Sequence, residues 1–382
     1  MTGLTFAVAS CQYPAGILDR RVANASLARL AQRIDNPATG PVPEFLLLVG
    51  DQVYVDATAG LFDPTTRYDR FQNTYERYLD RSGPLQDIVR RMPVYMMLDD
   101  HEIEDNWEPG NRIADPDSLM TEGRRAYLEF QRRAGPLQVE AEDDCPLWYT
   151  FERSGVPFFI TDTRTEREAR SAATVTQARI MSERQFGALL DWLRRQDPDV
   201  PKFVASPAIL LPRHLRAIQH GHPAGALRSD SWDGYPYSLH RVLGYIATNR
   251  IRNVVFLSGD EHLSCVARAT ITASAGGPPV EIVSIHSSPL HAPFPFANSI
   301  PEDFVVPDEF AFSFPTERVD QGETGDEFQC AVQTEFAPPG DGFALISLAR
   351  EDPGWTLCCD FDRARDGTAP EGARRFLTRF GR

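Results

Sequence analysis

The chain has 382 residues, of which 42% are hydrophobic and 24% are charged, a composition typical of a globular protein and not of a disordered one. Its formal net charge is −15, from 39 basic and 54 acidic side chains. An acidic surface argues against a nucleic-acid-binding or membrane-binding protein, because both need clustered Lys and Arg.

The first two-thirds of the chain alternates predicted strands with predicted helices. Short apolar runs predict strands at residues 6–9, 45–49, 94–98, 158–161, 202–205 and 254–257. Apolar residues at helical spacing predict helices at residues 21–35, 68–79, 118–134 and 238–249, and after the capping box at Ser182. The helix at 68–79 is expected to stop at Gly83-Pro84. Such alternation is typical of layered α/β architecture.

After residue 264 the pattern changes to strands without intervening helices. These strands are predicted at residues 266–272, 280–285, 329–334, 343–348 and 355–361. Residues 291–326 are rich in Pro, Phe and acidic side chains, and we expect a long surface excursion there. The sequence therefore predicts a single α/β domain over residues 1–382, with a β-rich C-terminal portion at 264–382.

Three of the predicted strands end in side chains that commonly bind metals. Gly50-Asp51-Gln52-Val53-Tyr54 follows the second strand, Asp99-Asp100-His101-Glu102 follows the third, and Gly259-Asp260-Glu261-His262 follows the strand at 254–257. In open α/β sheets, ligands bind at this C-terminal edge of the strands. The repeated pattern favours a hydrolytic site with more than one metal ion.

Each motif taken alone also has a structural interpretation. Asp51 could cap a helix while Tyr54 packs in the core, and the acidic cluster after residue 98 could be a solvated turn. In favour of a metal site, crowded carboxylates raise one another's pKa unless cations neutralise them. Asn106 could add a neutral oxygen of the kind that calcium accepts.

Other candidates leave similar alternatives open. Asp260 and His262 would emerge on one face if the strand continued through them. Cys11 is either a ligand or a small buried apolar residue, the usual environment of a free Cys. Arg164, in Asp162-Thr163-Arg164, suits phosphate oxygens, but without the other motifs a surface ion pair is the preferred interpretation.

Three histidines form a separate group. His214, His220 and His222 lie near prolines and are expected on a surface loop, with a role at a substrate entrance as the alternative. Six scattered cysteines without a CxxC pair do not suggest a disulfide scaffold.

Together and in order, these motifs resemble the PhoD-like alkaline phosphatase family, a branch of the calcineurin-like metallophosphoesterases. The matching segments are Ser10-Cys11, Gly50-Asp51-x-x-Tyr54, Asp99-Asp100-His101-Glu102 with Asn106-Trp107, Asp162-Thr163-Arg164, Trp232-Asp233-Gly234-Tyr235 and Ser258-Gly259-Asp260-x-His262. The resemblance implies a four-layer αββα sandwich that hydrolyses small phosphate monoesters or diesters. Asp233 is expected to be structural.

The resemblance also implies an iron–calcium centre, although zinc or manganese could replace these ions. Cys11, Asp51, Tyr54 and His262 would hold a ferric ion, and Asp51 would bridge to calcium. The calcium side would be completed by Asp100, Asn106 and Asp260. Thiolate and phenolate ligands suit Fe(III), and oxygen ligands suit calcium.

The implied mechanism is in-line attack on phosphorus by a metal-bound hydroxide. His101 would donate a proton near the leaving oxygen, and Arg164 would clamp a non-bridging phosphoryl oxygen. Two alternatives remain. One is a metal-free hydrolase with Cys11 as nucleophile and His262 and Asp260 as base and orienting group. The other is a non-catalytic binding protein on the same scaffold.

The start of the chain differs from the family pattern. The Ser-Cys segment begins at residue 10, so we expect neither an N-terminal β-sandwich domain nor a secretion signal. No apolar run approaches the length of a membrane helix. The expectation is a cytoplasmic protein, or a secreted or periplasmic one if a leader has been removed. Glu261 stands where the family pattern leads us to expect an apolar residue.

Overall fold

Two β-sheets form the centre of the molecule in a computed structural model of the chain. The structure describes residues 3–14, 20–57, 67–78, 83–110, 116–133, 135–137, 145–219, 223–293, 299–314, 326–364 and 374–381. Numbered in chain order, the strands are β1 (Leu4–Ala9), β2 (Leu46–Val49), β3 (Val94–Met97), β4 (Tyr149–Arg153), β5 (Val156–Ile160), β6 (Lys202–Ala205), β7 (Val254–Ser258), β8 (Ser264–Ala273), β9 (Val280–Ser287), β10 (Asp308–Ser313), β11 (Glu327–Phe336), β12 (Asp341–Glu351), β13 (Gly354–Ala364) and β14 (Arg374–Phe380).

The first sheet has the strand order β14-β13-β12-β1-β2-β3. β1, β2 and β3 run parallel, with Ala7 opposite Leu46 and Leu46 opposite Val94. β12 pairs antiparallel with the other side of β1, where Phe6 lies opposite Ile346. The last strands of the chain therefore complete a sheet that begins at residue 4.

The second sheet has the strand order β10-β11-β8-β9-β7-β6-β5-β4. β5, β6, β7 and β9 run parallel in its centre, and antiparallel strands flank them. The C-terminal ends of the parallel strands therefore lie along one edge of this sheet.

The described helices are α1 (Arg20–Ala23), α2 (Ala25–Asp35), α3 (Arg67–Tyr78), α4 (Pro84–Val89), α5 (Pro116–Ala126), α6 (Glu183–Arg195), α7 (Leu215–Ile218) and α8 (Pro236–Thr248). A wider π-helical turn, Tyr127–Arg132, continues α5. At the start of α6, the hydroxyl of Ser182 accepts the backbone N–H of Gln185, as the sequence predicts. None of the helices in the described ranges combines the length and apolarity needed to cross a membrane.

Alternate residues of the buried strands face two different cores. Phe6 and Val8 of β1 join residues of both sheets, including Phe158, in the core between the sheets. Ala7 and Ala9 face the other way, and pack with Leu27 and Leu30 of α2 and with α4. On the outer face of the second sheet, α6 and α8 bury their apolar sides. This arrangement confirms the predicted four-layer αββα sandwich.

Several local expectations were incomplete. The predicted surface excursion at residues 291–326 contains β10, an edge strand whose Phe310 and Phe312 are buried. Its residues 294–298 and 315–325 lie outside the described part of the chain. The sequence did not predict β4, β14 or α4. Helix α4 begins at Pro84, directly after the position where the preceding helix was predicted to stop. Pro is well accommodated at the first position of a helix because it lacks a backbone N–H.

Candidate metal centre

The ends of four parallel strands bring predicted ligands together at one edge of the sandwich. Cys11, Asp51 and Asp100 follow β1, β2 and β3 of the first sheet, and Asp260 follows β7 of the second. Within the first sheet, the backbone N–H of Cys11 donates to Gly50 O at 3.2 Å. The second sheet meets the first here, since Cys11 Sγ lies 3.7 Å from Asp260 O. The structure thus unites ligands that are up to 249 positions apart in the chain.

Close backbone approach at this edge requires glycine. Gly50 has φ of +98°, a conformation that side chains rarely adopt. At Gly259, an added Cβ would lie 2.3 Å from Ser10 Oγ and 2.8 Å from Val49 O. Gly259 therefore lets the second sheet approach the ends of β1 and β2.

Most of the side chains that meet at this edge are carboxylates. Oxygen atoms of Asp51, Asp99, Asp100 and Asp260 all lie within 4.8 Å of one another, and Asp51 and Asp100 form a second such group with His101. Cys11 Sγ is 3.4 Å from Asp51 Oδ2. Asp51, Asp99 and Asp100 are at most 2% exposed, so water screens their charges poorly.

The electrostatics of this group fit a bound cation. Burial, reinforced by neighbouring anions, raises the pKa of Asp51 and of Asp260 well above the usual range, and raises the pKa of the Cys11 thiol to about 12. Asp99 Oδ2 and Asp100 Oδ1 are buried without a hydrogen-bond partner in the described structure. A set of buried anions with unused oxygens is what multivalent cations bind. The donors present therefore suit metal ions.

Five of the seven predicted ligands have left-handed backbone conformations. Their φ angles are 56° at Cys11, 58° at Asp51, 52° at Asn106, 87° at Asp260 and 44° at His262. Such a conformation costs a non-glycine residue of the order of 1–3 kcal/mol and tends to cluster at functional sites. Because β7 ends at Ser258, the strand does not continue through Asp260 and His262, and the condition for their sharing one strand face is not met.

Tyr54 and His262 lie side by side. Tyr54 Oη is 3.4 Å from His262 Nε2, and Tyr54 is only 3% exposed. The Tyr54 ring also stacks on His101, with ring centroids 4.0 Å apart. The structure thus brings together the predicted phenolate ligand, the predicted imidazole ligand and the predicted proton donor.

Asn106 lies at the exposed border of the site. Its backbone N–H donates to Asp100 Oδ2 at 2.6 Å, and its side-chain amide donates to Asp105 Oδ1 at 3.0 Å. The residue is therefore joined to the carboxylate group through Asp100.

His101 is oriented by a carboxylate that the sequence reading missed. His101 Nδ1 lies 2.9 Å from Asp56 Oδ1, and the side chain of Asp56 is only 10% exposed. Burial alone would lower the pKa of His101, but Asp100 and Asp56 outweigh it and raise that pKa to about 9. The contact with Asp56 therefore fixes the orientation of the imidazole and favours its protonated form.

Glu102 is a second positioning residue, to which the Asp99-Asp100-His101-Glu102 motif assigned no role. Its Oε1 accepts the backbone N–H groups of Gln52 at 2.7 Å and Val53 at 3.1 Å. Its Oε2 accepts those of Asp99 at 2.9 Å and Asp51 at 3.1 Å. One fully buried carboxylate therefore joins the loops after β2 and β3, which carry Asp51 and Asp100.

Arg164 contacts carboxylates of the protein, whereas the sequence predicted that it would contact a phosphate oxygen of the substrate. Its side chain is fully buried, with Nε donating to Asp99 Oδ1 at 2.6 Å and Nη1 donating to Asp230 Oδ2 at 2.9 Å. Its Nη2 lies 3.8 Å from Asp100 Oδ1. The Arg164 guanidinium has no exposed surface and holds the neighbouring carboxylates in place. The geometry therefore does not favour a direct contact between Arg164 and substrate.

His214 is buried, and its predicted position on a surface loop was wrong. The imidazole is fully enclosed and lies between the carboxylates of Asp233 and Glu261. Asp233 also accepts the backbone N–H of His214 at 2.6 Å, which agrees with its expected structural role. His220 and His222 lie outside the described residues.

Two β-sheets between helical layers, with carboxylates converging at strand ends, define a metallophosphoesterase-like fold. The model of the PhoD-like phosphatase family matches residues 6–317, and the chain belongs to that family. This membership supports a metal-dependent hydrolase of phosphoric esters.

Solved structures with the same fold are distant in sequence. A structure of PhoD matches with a TM-score of 0.64 and 15% identity, over 99% of this chain and 72% of that one. The purple acid phosphatase PPD1 from seeds of yellow lupin (Lupinus luteus) matches with a TM-score of 0.53 and 11% identity, over 98% of this chain and 53% of that one. No curated protein sequence matches the chain.

Proposed function

We propose that this protein hydrolyses small phosphate esters, monoesters or diesters, at a dinuclear iron–calcium centre. The observation that carries the proposal is the group formed by the buried Asp51, Asp99 and Asp100 with the half-buried Asp260, whose oxygens lie within 4.8 Å of one another at the joined edges of the two sheets. Membership of the PhoD-like phosphatase family supports the reaction class.

The proposed ligands divide by the chemistry of their atoms. Cys11, Asp51, Tyr54 and His262 would hold iron, since a thiolate and a phenolate are suitable partners of Fe(III). Asp51, Asp100, Asn106 and Asp260 would hold calcium through oxygen atoms. Support comes from Asp51, which lies 3.4 Å from the sulfur of Cys11 on the proposed iron side and groups with Asp100 and Asp260 on the proposed calcium side, as a bridging ligand requires.

When bound, the metal ions would supply an activated water as nucleophile and neutralise negative charge on the phosphoryl group. The chain itself supplies the proton and the rigidity. His101, held by Asp56, would protonate the leaving oxygen. Glu102 and Arg164 would keep Asp51, Asp99 and Asp100 in place.

The alternatives receive less support from the geometry. As a metal-free nucleophile, Cys11 would need an activating base, but its thiol is buried and donates to the carboxylate of Asp51. A purely non-catalytic protein would leave unexplained why His101 is held by Asp56 and stacked on Tyr54 beside the carboxylates.

Metal analysis combined with a visible spectrum tests the proposal most directly. Protein as purified should contain iron and calcium, show a charge-transfer colour from the Tyr54 phenolate, and cleave p-nitrophenyl phosphate or bis-p-nitrophenyl phosphate. Tyr54→Phe should lose the colour. Cys11→Ser should lose iron and activity together, whereas Cys330→Ser, which changes another buried cysteine remote from the site, should keep both.

The outcomes separate the hypotheses. Retention of iron by Cys11→Ser with complete loss of turnover would favour the nucleophile. Colourless protein with zinc or manganese alone would refute the iron assignment and leave phosphoester hydrolysis standing. Metal-loaded protein that cleaves neither ester between neutral and alkaline pH would refute the hydrolase.

A further inference from the structure

A buried imidazole connects two carboxylates next to the metal centre. His214 is fully enclosed, with Nδ1 2.9 Å from Asp233 Oδ2 and Nε2 2.7 Å from Glu261 Oε1. Each ring nitrogen faces a carboxylate oxygen, an arrangement that favours the doubly protonated imidazolium. Burial opposes this charge, but Glu261 and Asp233 outweigh it and raise the pKa of His214 to about 10.

Glu261 gathers segments that are distant in the chain. Oε1 of Glu261, which faces His214, also accepts a hydrogen bond from Nη2 of Arg216 at 3.0 Å. Its Oε2 accepts a hydrogen bond from the hydroxyl of Ser299 at 2.5 Å. Phe304 packs on the His214 ring with centroids 4.6 Å apart, and the two residues also form a β-bridge. Residues 214–216 and 299–304 are therefore both joined to residue 261.

These contacts matter because Glu261 lies between two proposed metal ligands. It stands between Asp260 and His262, whose φ angles of 87° and 44° are unfavourable for residues with side chains. Within this turn, the N–H of His262 donates to Asp260 O at 2.9 Å. A loop in such a conformation needs outside contacts to hold it, and Glu261 provides an ion pair with His214 and hydrogen bonds to Arg216 and Ser299.

We propose that Glu261, held by His214, is a positioning residue that keeps Asp260 and His262 in the conformation that binds metal. The inference rests on the proposed metal-dependent function. In this role Glu261 and His214 act on the reaction through the two neighbouring ligands, and Glu261 has an oxygen within 4.8 Å of an oxygen of Asp260. The surplus charge at position 261, unexpected from the family pattern, is thereby explained as the anchor of the ligand loop.

Glu261→Ala tests the inference through metal affinity, which does not depend on turnover. We expect the variant to bind metal about 10- to 100-fold more weakly, the usual effect of losing a residue that orients ligands. Measured by dialysis against a chelator followed by elemental analysis, it should lose metal that the unmodified protein keeps. Excess metal should restore its activity. Glu261→Gln keeps the hydrogen-bonding shape without the charge, and should fall between the two.

Asp308→Asn is the matched control. Asp308 is a 1% exposed carboxylate that accepts two hydrogen bonds from Arg213, the chain neighbour of His214. This variant should lose stability and keep wild-type metal affinity. The inference is overturned if Glu261→Ala binds metal as the wild type does, or weakens it no more than Asp308→Asn.

A separate result would point to the proposed function instead. If the unmodified protein itself binds no metal, the metal-dependent function fails together with this inference. If the unmodified protein binds metal and cleaves phosphate esters, and both Glu261 variants do so equally well, only the positioning role fails. Should Glu261→Ala not fold, the affinity of Glu261→Gln decides by the same criterion.

Discussion

Replacing Glu102 by Gln should destabilise the protein and weaken its metal centre. The carboxylate accepts four backbone N–H groups with both oxygens. Gln can present one oxygen, to the N–H groups of Gln52 and Val53. Its NH₂ group would then face the N–H groups of Asp51 and Asp99, so two buried donors would lose their acceptor.

The size of the effect follows from those two donors. Each unsatisfied buried donor costs about 1–3 kcal/mol, so Glu102→Gln should lower the free energy of unfolding by about 2–6 kcal/mol. That is a large part of the roughly 5–15 kcal/mol that stabilises a typical protein. The loops that carry Asp51 and Asp100 should shift, and metal affinity and activity should fall with stability.

Urea denaturation followed by circular dichroism, with and without metal, measures the change. Glu152→Gln alters an exposed glutamate on β4 and serves as the control; surface substitutions usually remain within about 0.5 kcal/mol. A loss below about 1 kcal/mol in Glu102→Gln, with unchanged metal content, would show that the four hydrogen bonds do not hold the ligand loops.

Three further changes test other parts of the structure. Asp56→Asn removes the charge that orients His101, and should lower kcat about tenfold or more with little change in KM; an unchanged kcat would contradict the assigned proton donor. Gly259→Ala places a Cβ 2.3 Å from Ser10 Oγ and should cost about 1–3 kcal/mol in thermal unfolding, with loss of metal. Burial lowers the pKa of His240 from 6.5 to about 4, so the unfolded state binds a proton at a higher pH than the folded state does. The free energy of unfolding is therefore highest above pH 6.5 and falls by up to about 3 kcal/mol as the pH is lowered towards 4. His240→Leu should remove that part of the pH dependence, and parallel stability curves for the two proteins would refute it.

The strand ends that carry the proposed ligands could be predicted because their signals are local. A short apolar run followed by Asp51 or Asp100 is visible in the sequence, and parallel strands bring such ends to one edge. The family and the four-layer fold, both predicted, were confirmed. β10 shows how a local signal is lost, since its alternating Phe310 and Phe312 stand in a stretch whose Pro and acidic residues suggest a loop.

The positioning residues could not be predicted because their partners are remote or are backbone atoms. His214 is buried by Asp233 and Glu261, and Glu261 is 47 positions away in the sequence. Glu102 belongs to a visible acidic motif, but it binds N–H groups, which every non-proline residue possesses, so no side-chain pattern marks its positioning role. Left-handed conformations at Cys11 and Asp51 are equally invisible, since neither residue type requires them.

The placement of β1 has a consequence for the order in which the protein can be assembled. During synthesis, β1 emerges first, but its partner β12 is more than 300 residues behind it. Until β12 arrives, one side of β1, directly before Cys11, is an unpaired sheet edge that can attract other chains. A nascent chain stopped before residue 341 would contain every proposed ligand and still have an open strand beside the first of them. Pairing of β1 therefore awaits the synthesis of β12 at residues 341–351, although every proposed ligand precedes residue 263.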